Sequence, residues 1–205
     1  MEASPVEAPR KLDGEKAQRI VAAMRESVGT RGAAASTFDV VAREAGVSRG
    51  LLHYYFGSKE RLLVEVVRRD CDARIAALEH ALGRAKSADE VVAILVASLE
   101  DFVDDEPGSS AVVYEMVSAS HYSEELRAEM AELYRRWREH LADALRAKQD
   151  EGVVSLDADP EAVASIIFAL GDGVGLQLSS DPSWDGSAAL DLGARTARRL
   201  LGAPA

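Results

Sequence analysis

A single cysteine, Cys71, excludes an internal disulfide framework and any zinc or iron–sulfur site built from several thiolates. Histidine is scarce too. His53, His80, His121 and His140 are scattered, with nothing like the H-E-x-x-H spacing of a zinc site, and Cys71 has no histidine one helical turn away. No catalytic residue, metal site or cofactor is therefore expected. No apolar run approaches the ~18 residues that cross a bilayer, and the first thirteen residues, MEASPVEAPRKLD, lack the apolar middle of a secretory signal. The expectation is a cytoplasmic chain with no membrane partner. Prolines number only six, Pro5, Pro9, Pro107, Pro160, Pro182 and Pro204, each where a helix should begin, end or be absent.

What the chain does have is enough apolar sequence, 47%, to bury a sizeable core. Its net charge of −11 argues at first against a nucleic-acid partner. Residues 1–60, however, carry 9 Lys/Arg against 8 Asp/Glu, and residues 61–205 carry 15 against 27. The acidic excess lies wholly outside the N-terminal third.

The apolar pattern is helical almost throughout, with no convincing strand or repeat. Residues 1–13 have the make-up of a flexible N-terminal arm. Ile20, Val21, Met24 and Val28 form the stripe of an amphipathic helix expected to end near Gly29. Phe38, Val41, Ala42 and Ala45 mark a second, opened by a capping box of Ser36 and Asp39 and stopped by Gly46. A third spans Arg49–Phe56, and a long one runs from about Lys59 to Leu82. Ser87 with Glu90 opens a fifth, and a sixth covers about Ser110 to Ala119 after the break at Glu106-Pro107-Gly108. Ser123 caps a long seventh carrying Leu126, Met130, Leu133, Trp137, Leu141 and Leu145. Asp159-Pro160 opens the very apolar segment 162–178, and Ala188–Leu201 is the last. The fold class is all-α, with nine helices.

Residues 36–59, STFDVVAREAGVSRGLLHYYFGSK, are two short helices joined by a three-residue turn, the physical description of a helix-turn-helix. Ala42 is small where the second helix must cross. Gly46 sits where positive φ ends the first helix, Val47 plugs the gap, and Ser48 is a good N-cap. Leu52 and Phe56, four apart, anchor the second helix. Arg49, Gly50, His53 and Tyr54 are left outward, and Tyr55 lies between the anchors Leu52 and Phe56. Arginine can donate two hydrogen bonds to guanine, and glycine admits a base closely. Thr37 and Lys59 stand at helix N-termini, where backbone N–H groups favour phosphate. The candidate DNA contacts are thus Thr37, Ser48, Arg49, Gly50, Leu51, His53, Tyr54, Tyr55 and Lys59.

The run Thr37-Phe38, Ala42 to Leu52 and Tyr55 to Leu63 resembles the DNA-binding domain of the tetracycline-repressor (TetR) family. The resemblance spans about 50 residues; the rest of the chain matches in size and helix count. It implies two domains, a helix-turn-helix domain over 14–60 (motif about 37–56) and an effector-binding and dimerisation domain over 61–205. It also implies a homodimeric bacterial regulator, usually a repressor released from its operator by a small molecule. Its partners would be double-stranded operator DNA bearing an inverted repeat, a second copy of itself, and a small-molecule effector of unknown identity. A DNA-binding dimer of the same fold that activates, or ignores ligands, is the alternative. The departure is His53, where the family most often has tyrosine.

Two further readings concern the C-terminal part. Gly171-Asp172-Gly173-Val174-Gly175 imitates a phosphate loop, but the third glycine of G-x-G-x-x-G would fall on Leu176, and the residues before it carry helix caps. Gly171 and Gly175 instead suit close helix approach, and the dimer interface is expected at Ile167, Leu170, Gly171, Val174, Gly175 and Leu178. Phe102, Tyr114, Met116, His121, Tyr122, Trp137 and Phe168 are the candidate walls of a largely apolar effector pocket.

Overall fold

The computed structural model describes residues 12, 14–104 and 109–202. The expected arm over 1–13 (Leu12 aside) and the break at 106–108 lie outside the described residues. Within them the order is α1 (Glu15–Ala35), α2 (Phe38–Ala45), α3 (Arg49–Phe56), α4 (Lys59–Arg84), α5 (Ala88–Asp104), α6 (Ser109–Ser120), α7 (Glu124–Asp150), α8 (Pro160–Ser180) and α9 (Ser187–Leu200). All nine expected helices are present, and no strand occurs among the described residues.

The chain divides into two compact units, residues 1–68 with 106–126, and residues 69–105 with 127–205. The sequence placed the whole of 61–205 in one domain. The contacts instead gather α6 and the first turns of α4 with the N-terminal helices.

In the first unit α1 packs on α2 and α6, with Ile20, Met24 and Val28 of α1 buried as their stripe requires. Contrary to expectation α1 does not stop at Gly29. It runs to Ala35, with a kink at Gly32, where φ is 78°. A mid-helix glycine costs about 1 kcal/mol against alanine, and the buried residues on both sides of Gly29 outweigh that. The start of α2 also differs. Ser36 is buried, donating to the Gly32 carbonyl oxygen (2.8 Å) and accepting from the Ser27 hydroxyl (2.9 Å). Thr37 is therefore the N-cap, its hydroxyl accepting from the Val40 N–H at 3.4 Å.

The second unit holds α5, α8 and α9 and most of α4 and α7. Leu78 and Leu82 of α4, Val91 of α5, Leu141 and Leu145 of α7, and Val163 of α8 fill its core. The expected caps form. Ser87 accepts from the Glu90 N–H (3.2 Å), Ser123 from the Leu126 N–H (3.3 Å), and Asp159 from the N–H groups of Glu161 and Ala162. One buried charge had no local signal in sequence. The Lys148 ammonium donates to the carbonyls of Gly83 (3.0 Å) and Ala85 (3.1 Å) at the end of α4 and to Glu151 (2.9 Å). It satisfies orphan carbonyls that burial would leave unpaired.

Helix α8 corrects the reading of apolar runs. At 21 residues it is, by length and composition, long and apolar enough to cross a membrane. Its alanines, glycines and serines add length to an apolar window without looking like a hydrophobic run. Only 17% of that window is buried within the chain.

Candidate nucleic-acid interface

The turn between α2 and α3 is built as its residues dictate. Gly46 adopts φ 64°, ψ 41°, and its N–H bonds back to the last carbonyls of α2. A side chain there would be strained by the left-handed backbone and would meet the Arg19 guanidinium at 2.8 Å. That guanidinium reaches across from α1 to the Ala45 carbonyl and so covers the end of α2. Ala42 is buried, Val47 half-buried, and Leu52 and Phe56 of α3 are buried. Ser48 occupies the N-cap position of α3, yet its hydroxyl makes no capping bond.

Anchoring one side of α3 in this way leaves the opposite side uncovered. Arg49, Gly50, His53 and Tyr54 are exposed, while Leu51 and Tyr55 are half-buried. Tyr54, 60% exposed, meets the Tyr55 ring edge-to-face at 5.3 Å. The Arg49 guanidinium rests on the Asp39 carboxylate of α2 at 3.1 and 3.3 Å. Both groups are largely in solvent, where such a pair is weak, so Arg49 can leave Asp39 for a base or phosphate. The His53 ring stands edge-to-face on Phe38, 4.8 Å between centroids.

The two flanking residues behave differently from each other. Thr37 is exposed at the start of α2. Lys59, half-buried at the start of α4, donates to the Ala33 carbonyl at 2.5 Å. Its ammonium is thus engaged in holding α4 to the end of α1. The nine candidate residues converge on α2, the turn, α3 and the start of α4. Sequence reasoning missed Arg19 and gave Asp39 a capping role in place of its contact with Arg49. Both act across 10 to 26 residues of chain, a separation at which no spacing rule speaks.

The other expected sites are placed less simply. Of the pocket candidates, Tyr114, Met116, His121 and Tyr122 belong to the first unit, and Phe102, Trp137 and Phe168 to the second. Met116 is core, and Tyr122 is 92% exposed. Phe102 lies under the Arg74 guanidinium, 5.1 Å away. Trp137 and Phe168 pack edge-to-face at 5.5 Å. The cleft beside Trp137, between α4 and α7, is only about 10 Å³, room for roughly one water. Near Phe168 on α8, Asp172 is partly buried, accepts a hydrogen bond from Tyr134, and has its carboxyl pushed above the ordinary value by burial.

Of the interface candidates, Ile167 packs on the chain's own core, Gly171 faces Leu99 of α5, and Gly175 is buried. Leu170, Val174 and Leu178 are half-buried. The exposed row of α8 is a neighbouring one: Ala162, Ile166, Ala169, Gly173 and Leu176. Leu192 of α9 is also exposed.

Residues 20–66 match the family of bacterial regulatory proteins described as tetR, and residues 87–202 match the C-terminal domain of BetI-type transcriptional repressors. The HTH-type transcriptional regulator BetI of Rhizobium meliloti (strain 1021) is 33% identical over 142 residues, 66% of this chain and 67% of that protein. Among solved structures, a putative TetR-family transcriptional regulator from Rhodococcus sp. superposes with a TM-score of 0.73 at 25% identity, covering 91% of this chain and 98% of that one. A putative transcriptional regulator from Saccharomonospora viridis, in complex with choline, gives 0.69 at 24% identity over 90% and 94%. With both its N-terminal motif and its larger C-terminal part matched, this chain belongs to the TetR family and is a BetI-type transcriptional regulator, not an enzyme, with a helix-turn-helix DNA-binding domain.

Proposed function

We propose that the protein works in the cytoplasm as a repressor, holding an inverted-repeat operator as a homodimer and releasing it when a small effector binds. The carrying observation is the division of α3, with Leu52 and Phe56 anchored inside and Arg49, Gly50, His53 and Tyr54 outside. A helix of eight residues reads only a few base pairs, so useful specificity calls for two copies related by a two-fold axis.

The second copy is proposed to meet the exposed row of α8, Ala162, Ile166, Ala169, Gly173 and Leu176, together with Leu192 of α9. These positions repeat at alternating steps of four and three, which keeps one apolar stripe facing a partner helix. Stripes of this kind, bare in one chain, are what a subunit interface covers. The same stripe accounts for an apolar helix that resembles a membrane span by composition.

The effector is proposed to bind in the second unit against Trp137 and Phe168, with the Asp172 carboxylate one turn along α8 from Phe168. Aromatic faces beside a half-buried acid suit an organic cation, and choline, the ligand of the Saccharomonospora neighbour, is the first compound to test. Displacing the side chains around the small Trp137 cleft would pass to α4, whose residues belong to both units.

Calorimetry tests this reading. Linkage requires operator DNA to weaken effector affinity by the factor with which effector weakens DNA affinity, typically about 5- to 150-fold. Choline affinity that is the same with and without operator contradicts release by choline. No response to any amine in a stabilisation screen favours the ligand-independent dimer.

A further inference from the structure

We propose that His53 reads the operator as a hydrogen-bond acceptor, selecting a base that carries an exocyclic amine, adenine or cytosine, at one position of each half-site. The inference rests on the helix-turn-helix reading and adds to it the protonation pattern of one side chain. His53 Nδ1 lies 3.2 Å from the Gly57 carbonyl oxygen. A carbonyl can only accept, so Nδ1 carries the hydrogen. The same two residues are bonded a second time, the Gly57 N–H donating to the His53 carbonyl at 3.0 Å. Gly57 holds φ 75°, in the left-handed region that favours glycine, and this backbone turn fixes its carbonyl toward the ring. The Phe38 ring, edge-to-face at 4.8 Å, adds a second restraint on the imidazole. With Nδ1–H engaged, the neutral ring has Nε2 left as a lone-pair acceptor.

That assignment narrows what His53 can recognise. In the major groove the donors are N6–H₂ of adenine and N4–H₂ of cytosine, whereas guanine and thymine present acceptors there. A phosphate is also acceptor only and has no hydrogen to give the Nε2 lone pair of the neutral ring. His53 stands one turn after Arg49 and three residues after Gly50 on the exposed side of α3. The neighbouring contacts therefore divide, with Arg49 donating to guanine or phosphate and His53 accepting from an amine. Tyrosine at this position has a freely turning hydroxyl that donates or accepts. The neutral imidazole held by Gly57 presents only an acceptor there.

The test is site selection with the full-length protein and with His53→Phe, which keeps a flat ring and removes the lone pair. It is followed by titration of the selected duplex with the amine deleted, using purine for adenine or 2-pyrimidinone for cytosine. Wild type should prefer adenine or cytosine at one position per half-site by about tenfold. Deleting the amine should cost wild type that factor and cost His53→Phe nothing further. The slope of log affinity against log salt should be the same for both proteins. Guanine or thymine at the His53-dependent position overturns the assignment. So does an even loss over all sequences with a salt slope lower by about one, the sign of a phosphate contact. Should His53→Phe fail to fold, the amine deletion with wild type decides alone, and an unchanged affinity overturns the proposal. If no sequence is enriched at all, the operator reading itself falls and this assignment with it.

Discussion

Helices α3 and α8 each leave one side uncovered, and the two sides are chemical opposites. On α3 the exposed residues are Arg49, Gly50, His53 and Tyr54, all able to donate, accept or admit a close approach. On α8 the exposed row is Ala162, Ile166, Ala169, Gly173 and Leu176, apolar or small, with the polar side chains of Ser165, Gln177 and Ser180 exposed beside it. Exposure alone therefore says little about a helix. The chemistry of the exposed row says what it should meet, a polar groove in one case and another apolar row in the other. The regions also differ in how their buried sides are fixed. Helix α3 hangs on two large anchors, whereas α8 is held along its length by Val163, Ala164 and Ile167 and by Gly171 against Leu99.

A matched pair of substitutions sharpens this contrast most. Leu52→Ala removes a side chain with no exposed surface and should cost about 2–5 kcal/mol of stability. Chemical denaturation should show it, and DNA binding should fall with the folding of α3. Ile166→Glu alters a residue that is 51% exposed. It should leave the helix content and the chain's own core intact while shifting sedimentation toward the monomer at micromolar concentration. If Ile166→Glu unfolds the chain or stays dimeric, the exposed row of α8 is not the association face. Gly171, which meets Leu99 of its own chain, is a poor probe of that face despite its appeal in the sequence.

The sequence made the first of these regions far more legible than the second, for a physical reason. A helix-turn-helix is specified by local rules. Positive φ selects Gly46, close crossing selects Ala42, and spacing four selects Leu52 and Phe56, so each residue carries its own signal. Helix α8 is apolar on nearly every side, and on such a helix periodicity cannot say which row faces inward. Ile167, Gly171 and Gly175 looked as suitable for a partner as Ile166 and Leu176. Misread caps have a similar origin. Ser36 and Thr37 are adjacent and both suit an N-cap, and only the bond to Ser27, nine residues away, decides between them. Lys148 and Arg19 were invisible for the same reason, since their carbonyl partners lie 63 to 65 and 26 residues off.

A smaller effect probes the acid in the middle of the apolar helix, Asp172. Burial raises the Asp172 pKa above its ordinary 3.8, the Tyr134 hydrogen bond opposing in part. The folded state thus binds that proton more tightly than the unfolded state does. Its contribution is fully present below the unfolded value and is lost as pH rises through the raised one. Asp172→Asn should remove that decline and be modestly more stable than wild type at neutral pH, which thermal melts across the acid range would show. Equal pH dependence in the two proteins would mean the carboxylate is no worse solvated in the folded chain.

The uncovered side of α3 is proposed to read DNA in two symmetric copies. Selection of duplexes from a random pool by the full-length protein, at fixed and stated salt, tests it most directly. An inverted repeat should be enriched, its half-site centres about one helical turn, ~34–36 Å, or a multiple of it apart, and Arg49→Ala should relax one position per half-site. An enriched site with no two-fold symmetry, or a pool with no enrichment, would contradict it.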